Sequence, residues 1–239
     1  MNILITGASR GIGAAAYNLL KSSGHNVAGH SSRGSDELIA GDLTDPSAPR
    51  RIWDAALGLL GGRIDALVNN AGVYESVADH AEDEEWHAAW RRTLTINLQA
   101  AADLSRLAVR HFREGEGQGQ AERGRIVNVA SRAAFRGDSP QHWHYAASKG
   151  AMVSMTRTIA RGYAAQGILC FAVAPGFTVS EMTEEYLAGR GGAQIVADIP
   201  LGRVATTDEV AETIRWLATE APASATGSVI DVNGASYVR

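Results

Sequence analysis

Met1-Asn-Ile-Leu-Ile-Thr6-Gly7-Ala-Ser-Arg-Gly11-Ile-Gly13-Ala14-Ala-Ala-Tyr-Asn-Leu-Leu-Lys21 decides the fold. The first six residues are a short apolar run rich in β-formers, and Ala14 to Lys21 have helical composition. Three glycines stand between them. A strand, a glycine turn and a helix in this order open a nucleotide-binding α/β fold. Glycine permits the tight turn and the close approach of backbone to a pyrophosphate, while the helix N-terminus offers free N–H groups to the anion. The spacing is Gly-x-x-x-Gly-x-Gly rather than Gly-x-Gly-x-x-Gly. Without a ligand, the same residues would read as a glycine-rich turn.

Outward from this opening, strand and helix alternate along the chain. Strands are expected over 2–5, 26–30, 38–40, 66–69, 125–130, 169–174 and 228–232, with helices after Gly11, Pro46, Glu82, Tyr145 and Thr207. Such alternation predicts a single Rossmann-type, doubly wound parallel sheet of about seven strands with helices on both faces. No internal repeat or second domain is visible, so residues 1–239 read as one domain. Its 45% hydrophobic content is enough for one substantial core. Residues 115–124 form a polar, glycine-rich connection, expected to be a mobile surface loop. Between Ser31 and Glu37 the chain is too short for a crossover helix, although parallel strands normally need a dozen or more residues between them. A tight loop is expected there, with an adenosine pocket more open than usual.

Composition narrows the function. A formal charge of -4 gives no reason to expect nucleic acid or an anionic membrane as a partner. Cys170 is the only cysteine, which rules out an intramolecular disulfide, and its apolar surroundings suit an inert core thiol. No apolar run approaches the roughly 20 residues that span a bilayer. The N-terminus lacks a secretory pattern, so a cytoplasmic protein is expected.

Ser131, Tyr145 and Lys149 carry the chemistry. Tyr145 and Lys149 are four residues apart and share a helix face, and Ser131 closes the apolar run that begins at Arg125. A hydroxyl beside a phenol backed by an ammonium is equipment for moving a proton onto or off an oxygen. A free tyrosine has a pKa of about 10. A cation about 4 Å from the phenolate is worth roughly 4 kcal/mol at an effective dielectric of about 20. That would lower Tyr145 by roughly 3 units, to near 7, where a general acid or base works best. Tyr-x-x-x-Lys also occurs on ordinary solvated helices, so the surrounding motifs decide.

Those motifs, in order, resemble the short-chain dehydrogenase/reductases over nearly the whole chain, and most generally the bacterial 3-oxoacyl-carrier-protein-reductase-like members. Thr6-Gly7-Ala8-Ser9-Arg10-Gly11-Ile12-Gly13 looks like the family's cofactor loop. Asp42-Leu43 matches its adenine-contacting pair, and Asn69-Asn70-Ala71-Gly72 its motif after the fourth strand. Asn97 matches its structural and catalytic asparagine, and Ser131, Tyr145 and Lys149 the remaining catalytic positions. Pro175-Gly176 lies where the family's backbone meets the nicotinamide, and Thr178 is placed to bond the carboxamide. The resemblance implies hydride transfer between a nicotinamide and a carbonyl or secondary alcohol. Ser131 would orient the oxygen, Tyr145 would transfer the proton, and Lys149 would assist the phenol and hold the ribose. Asn97 would position a water leading from Lys149, while Asn70 and Gly72 support the sheet and the cofactor edge.

Cofactor choice is read from the end of the second strand. An acid there bonds the ribose hydroxyls of NAD and repels a phosphate. Here His30-Ser31-Ser32-Arg33 contains none, and Arg10, Arg33 and Ser32 suit a 2′-phosphate. NADP(H) is therefore expected over NAD(H), with Asp36 and Glu37 as the counterweight. The pocket wall is expected from Val73, Tyr74, Arg132, Phe135, His142, Trp143 and a lid around 179–199, with Arg190-Gly-Gly192 as its hinge. His142-Trp-His144 is weak evidence for a metal, and none is expected. Arg123, Arg132 and Arg136 are available to an acidic carrier protein, but the residue before Gly167 is Gln166, which is not basic. The substrate is a small 3-oxoacyl compound or another ketone. The alternative is a non-catalytic NAD(P)-binding sensor or scaffold, which would have no need to keep Ser131, Tyr145, Lys149 and Asn97 together. By resemblance, the segments 98–112 and 148–165 pair across a two-fold axis in a homotetramer, with a dimer as second choice.

Overall fold

In a computed structural model that describes residues 1–114, 122–179 and 192–239, seven parallel strands form one sheet in the order β3-β2-β1-β4-β5-β6-β7. They are β1 (Asn2–Thr6), β2 (Asn26–Ser31), β3 (Leu38–Ala40), β4 (Ala66–Asn69), β5 (Gly124–Val129), β6 (Ile168–Pro175) and β7 (Val229–Val232). The helices are α1 (Gly11–Ser22), α2 (Ala48–Leu59), α3 (Asp83–Leu94), α4 (Ala100–Glu114), α5 (Ala133–Arg136), α6 (Trp143–Tyr163), α7 (Gly192–Ala197) and α8 (Thr207–Thr219).

Period-two alternation divides the strand side chains between two cores. Ile3, Ile5, Val68, Val127, Phe171 and Val173 face α1 and α8. Leu4, Leu67, Ile126 and Cys170 face α2, α4 and α6. On α8, Val210, Ile214 and Leu217 recur at helical spacing and are all buried. That helix starts at a capping box, in which Thr206 accepts from the Glu209 N–H and Glu209 accepts from the Thr206 N–H.

The segment between β2 and β3 contains no helix among the described residues, as its length predicted. β3 pairs only with the last residues of β2, Gly29↔Leu38 to Ser31↔Ala40. The chain therefore doubles back by about two residues, roughly 7 Å, and a full crossover is unnecessary. Ser31 Oγ accepts from the Gly34 N–H at 3.0 Å to close the turn. Leu38 and the Tyr17 ring pack directly over Gly29, where a Cβ would meet both below 3 Å.

Of the expected lid, residues 180–191 lie outside the described residues, and with them Arg190 and Gly191 of the expected hinge. The same holds for residues 115–121 of the glycine-rich connection. No described helix is long and apolar enough to cross a membrane.

Candidate active site

A cleft of about 1270 Å³ opens along the C-terminal ends of β1, β2, β4, β5 and β6. This is where parallel α/β sheets place ligands. Of the site residues read from the sequence, all line it except Asn97 and Arg33.

At one end lies the glycine turn. Gly7 and Gly11 hold positive φ angles of 69° and 56°. A Cβ on Gly13 would collide with the Gly7 carbonyl, so only glycine lets α1 pack onto the turn. Asn70 fastens the turn from β4: its Nδ2 donates to the carbonyls of Thr6 at 3.0 Å and Gly7 at 3.1 Å. Thr6 Oγ1 accepts in return from the N–H groups of Asn70 and Ala71, both at 3.1 Å. Helix α1 has no side-chain cap at Arg10 and no acid in its first turn. Its free N–H groups and positive dipole end therefore suit a pyrophosphate.

His30 ties this end together, a role that sequence reading missed. It lies on buried strand β2; Nδ1 accepts from the Gly7 N–H at 3.4 Å and Nε2 meets the Gly41 carbonyl at 2.8 Å. Burial pulls its pKa below the usual histidine value. Asp42 is exposed; its Oδ1 accepts from the Thr44 N–H at 2.9 Å, which lowers its pKa. Leu43 beside it is buried. Arg10 and Ser32 line the cleft and are exposed, whereas Arg33 is exposed outside it. Neither Arg10 nor Arg33 is ion-paired among the described residues. Asp36 and Glu37 also lie off the cleft, and Glu37 pairs with Lys21 at 3.5 Å.

At the other end, Ser131 follows β5, and Tyr145 and Lys149 project from α6. Ser131 lies close enough to the Tyr145 phenol to oppose the rise in its pKa, and accepts from the Ala133 N–H at 3.1 Å. Lys149 Nζ lies 5.8 Å from the Tyr145 ring centroid and donates to the Val129 carbonyl at 2.8 Å. The shared helix face is as the spacing predicted, but the acidity is not. Burial pushes Tyr145 up to about 12 against the opposing effect of Ser131, and burial pulls Lys149 down to about 8. The expected value near 7 counted only the attraction between two charges. Desolvation disfavours both charged forms and dominates here.

Asn97 stands behind the cleft, fully buried, in a π-helical turn spanning Thr95–Gln99. Its Oδ1 accepts from the Val73 N–H at 2.8 Å, and its Nδ2 donates to the Val73 carbonyl at 3.0 Å and to Ser148 Oγ at 3.3 Å. Both ends of the side chain amide are therefore engaged in holding the 73 loop against α6. Gly72 keeps the space beside it open: a Cβ there would lie 3.3 Å from Asn97 Oδ1 and 3.6 Å from Lys149 Nζ.

The substrate end is partly as expected. Val73, Tyr74 and Arg132 line the cleft. Tyr74 is set edge-on to Tyr145, with centroids 4.8 Å apart, and donates to Asp138 at 3.1 Å. Three expected wall residues lie elsewhere. Phe135 stacks on Tyr237, Trp143 packs edge-on against Trp86, and His142 stacks behind Tyr74 at 4.0 Å. Aromatic partners hold all three off the wall, a pairing that sequence spacing does not encode. His142 and His144 also diverge: His142 bonds Ser139 at 2.6 Å, and His144 is buried near Trp90. Arg136 and Asp198, paired at 2.7 Å, complete this end of the cleft.

A family profile described as Enoyl-(Acyl carrier protein) reductase matches residues 7–235. The 3-oxoacyl-[acyl-carrier-protein] reductase FabG of Escherichia coli is 32% identical over 98% of this chain and 96% of that relative. The chain belongs to the short-chain dehydrogenase/reductase family. A cis-4-hydroxycyclohexanecarboxylate dehydrogenase of Sinomonas cyclohexanicum is 34% identical over 97% of this chain and 94% of its own. A solved short-chain dehydrogenase/reductase of Brucella melitensis, titled a glucose/ribitol dehydrogenase, superposes with a TM-score of 0.84 at 31% identity, covering 99% and 96% of the two chains. As a short-chain dehydrogenase/reductase, the protein is an oxidoreductase working between carbonyl and alcohol with a nicotinamide cofactor.

Proposed function

We propose that this protein is an NADPH-dependent reductase of a small ketone, with Ser131, Tyr145 and Lys149 as its catalytic residues. The observation that carries this reading is the convergence of those three side chains at one end of a cleft whose other end is an uncapped helix N-terminus. Bound there, the nicotinamide supplies the hydride. Gly7, Ser9, Gly11, Ile12 and Gly13 would hold its pyrophosphate, Asp42 and Leu43 the adenine, and Ala71, Pro175, Gly176 and Thr178 the nicotinamide half. Ser131 donates to the substrate oxygen and fixes its orientation. Tyr145, neutral throughout the physiological range, gives that oxygen its proton as negative charge develops. Lys149 keeps a positive charge behind the phenol, and Asn97 acts through the 73 loop and α6 as a positioning residue.

The preference for NADPH rests on Arg10 and Ser32 at the cleft and on the absence of an acid there at the end of β2. Arg33 lies off the cleft and drops out of the phosphate site. The relatives' names span a 3-oxoacyl thioester and a cyclic hydroxy acid, which supports one reaction class over different skeletons. A free small molecule suits this cleft better than a carrier-bound one. Arg123 sits beside the N-terminal end of β5, opposite the cleft, and Arg136 is already neutralised by Asp198. We read the protein as cytoplasmic. A homotetramer remains the assembly proposed from the family, although Ala100, Ala101 and Ala108 of α4 are consumed by the monomer core.

The test is oxidation of NADPH and NADH against a ketone panel that includes a 3-oxoacyl thioester. The expected kcat/KM favours NADPH, and Arg10→Ala lowers the NADPH-to-NADH ratio by about tenfold, the effect of losing one charge-assisted hydrogen bond of about 1.4 kcal/mol. A ratio favouring NADH defeats the cofactor assignment, and no turnover of any carbonyl favours the sensor or scaffold alternative.

A further inference from the structure

Arg132, the residue after Ser131, has no role in the reaction as described. It lines the substrate end of the cleft, its guanidinium lying over the Phe177 ring at 4.9 Å. Its Nη1 is shielded from solvent and has no hydrogen-bond partner among the described residues. An N–H group held dry without an acceptor is costly, because its lost hydration is not replaced, while the rest of this half-buried guanidinium stays open to the cleft. The neighbouring acids are already engaged. Asp198 holds Arg136 at 2.7 Å, and Asp138 accepts from Tyr74 at 3.1 Å and from the Ser139 N–H at 2.7 Å. The backbone beneath Arg132 is fixed: its N–H donates to the Pro175 carbonyl at 2.9 Å, and its own carbonyl accepts from Phe135 and Arg136 at the start of α5. Burial, with Arg136 adding to it, disfavours the charged guanidinium, and Asp198 and Asp138 oppose that in part.

We infer that Arg132 is a specificity residue for a carboxylate on the substrate, making the protein a reductase of oxo acids rather than of neutral ketones. A carboxylate matches the planar fork of guanidinium, and binding at Arg132 would hold the ketone carbonyl toward Ser131 and Tyr145 in the same cleft. This deepens the reductase reading and rests on it.

The test compares 3-oxobutanoate, 4-oxopentanoate, 5-oxohexanoate and 4-oxocyclohexanecarboxylate with their methyl esters, using NADPH. At least one acid is expected to exceed its ester in kcat/KM by roughly 10- to 100-fold, mainly through KM, as for a desolvated charge pair. Arg132→Met, which keeps the stem over Phe177, should collapse the acid-to-ester ratio toward one, and Arg132→Lys should restore part of it. Esters reduced as well as acids, or a ratio untouched by Arg132→Met, overturns the inference and leaves the reductase standing. Calorimetric titration of cyclohexanecarboxylate against its methyl ester provides an independent readout. Binding of the acid that Arg132→Met abolishes supports the anion site even if no ketone is turned over, an outcome that would instead remove the reductase reading. No difference between acid and ester in that titration counts against the site.

Discussion

Tyr145 and Lys149 show how burial reshapes chemistry that spacing alone suggests. In the proposed mechanism, a phenol near 12 keeps the proton for reduction in place at every physiological pH, whereas the reverse reaction needs the phenolate. Oxidation of an alcohol should therefore accelerate as pH rises from 7 to 10. Reduction should stay level to about 8 and decline beyond it as Lys149 loses its charge. Opposite slopes in the two directions are the expected profile of kcat/KM. Tyr145→Phe should reduce turnover by at least about 10²-fold, the low end of general-acid contributions, with NADPH affinity largely kept; near-normal turnover would remove the role assigned to the phenol. Lys149 also strains the fold. Its pKa falls from 10.5 to about 8, which corresponds to a penalty on the order of 3 kcal/mol. The penalty is fully present below about 8, where both folded and unfolded chains carry the proton, and fades as pH rises toward 10.5. Lys149→Met loses the bond to Val129 but should still raise the melting temperature at pH 7, with the gain vanishing near pH 10.5, while activity is lost.

The elements matter because their ends bring separate residues into register. Asn70, at the end of β4, holds the β1–α1 turn by two carbonyls, and Thr6 answers with its hydroxyl. Removing the amide should loosen the cradle for pyrophosphate without touching Ser131 or Tyr145. Asn70→Ala is expected to weaken NADPH binding by about tenfold, with kcat at saturating cofactor changed far less, as equilibrium titration and steady-state rates would reveal; the magnitude corresponds to about 1.4 kcal/mol for the lost bonds. The π-helical turn at Thr95–Gln99 has a similar logic. The extra residue in the turn accompanies Asn97 turned toward the 73 loop and Ser148, with no side chain of its own in the cleft.

Across the whole molecule, three buried histidines and the half-buried His111 set the acid limit. Burial holds His30, His111, His142 and His144 below the usual pKa of 6.5. Unfolded, they would take up protons near that value; folded, they resist. Stability should therefore be full above about 6.5 and fall as pH drops below it, since the unfolded chain then binds more protons. His30→Gln, which keeps a donor and an acceptor, should flatten the slope of melting temperature against pH between 6.5 and 5. An unchanged slope would mean that His30 titrates normally in the fold.

The sequence by itself determined the parallel α/β sheet, the absence of a crossover helix after β2, and the Ser131–Tyr145–Lys149 set. These follow from local rules: side-chain period, glycine placement and the four-residue spacing of a helix face. What it left to the tertiary structure depends on which surfaces meet. Spacing placed Arg33, Phe135 and Trp143 at the site, but the short β2–β3 turn leaves Arg33 outside the cleft, and aromatic neighbours distant in sequence claim the other two. His30 was unremarkable until β1, β2 and the Gly41 backbone converged on it. The acidity of Tyr145 and Lys149 likewise belongs to the folded chain, because desolvation is a property of everything packed around a group and has no signature in the residues beside it.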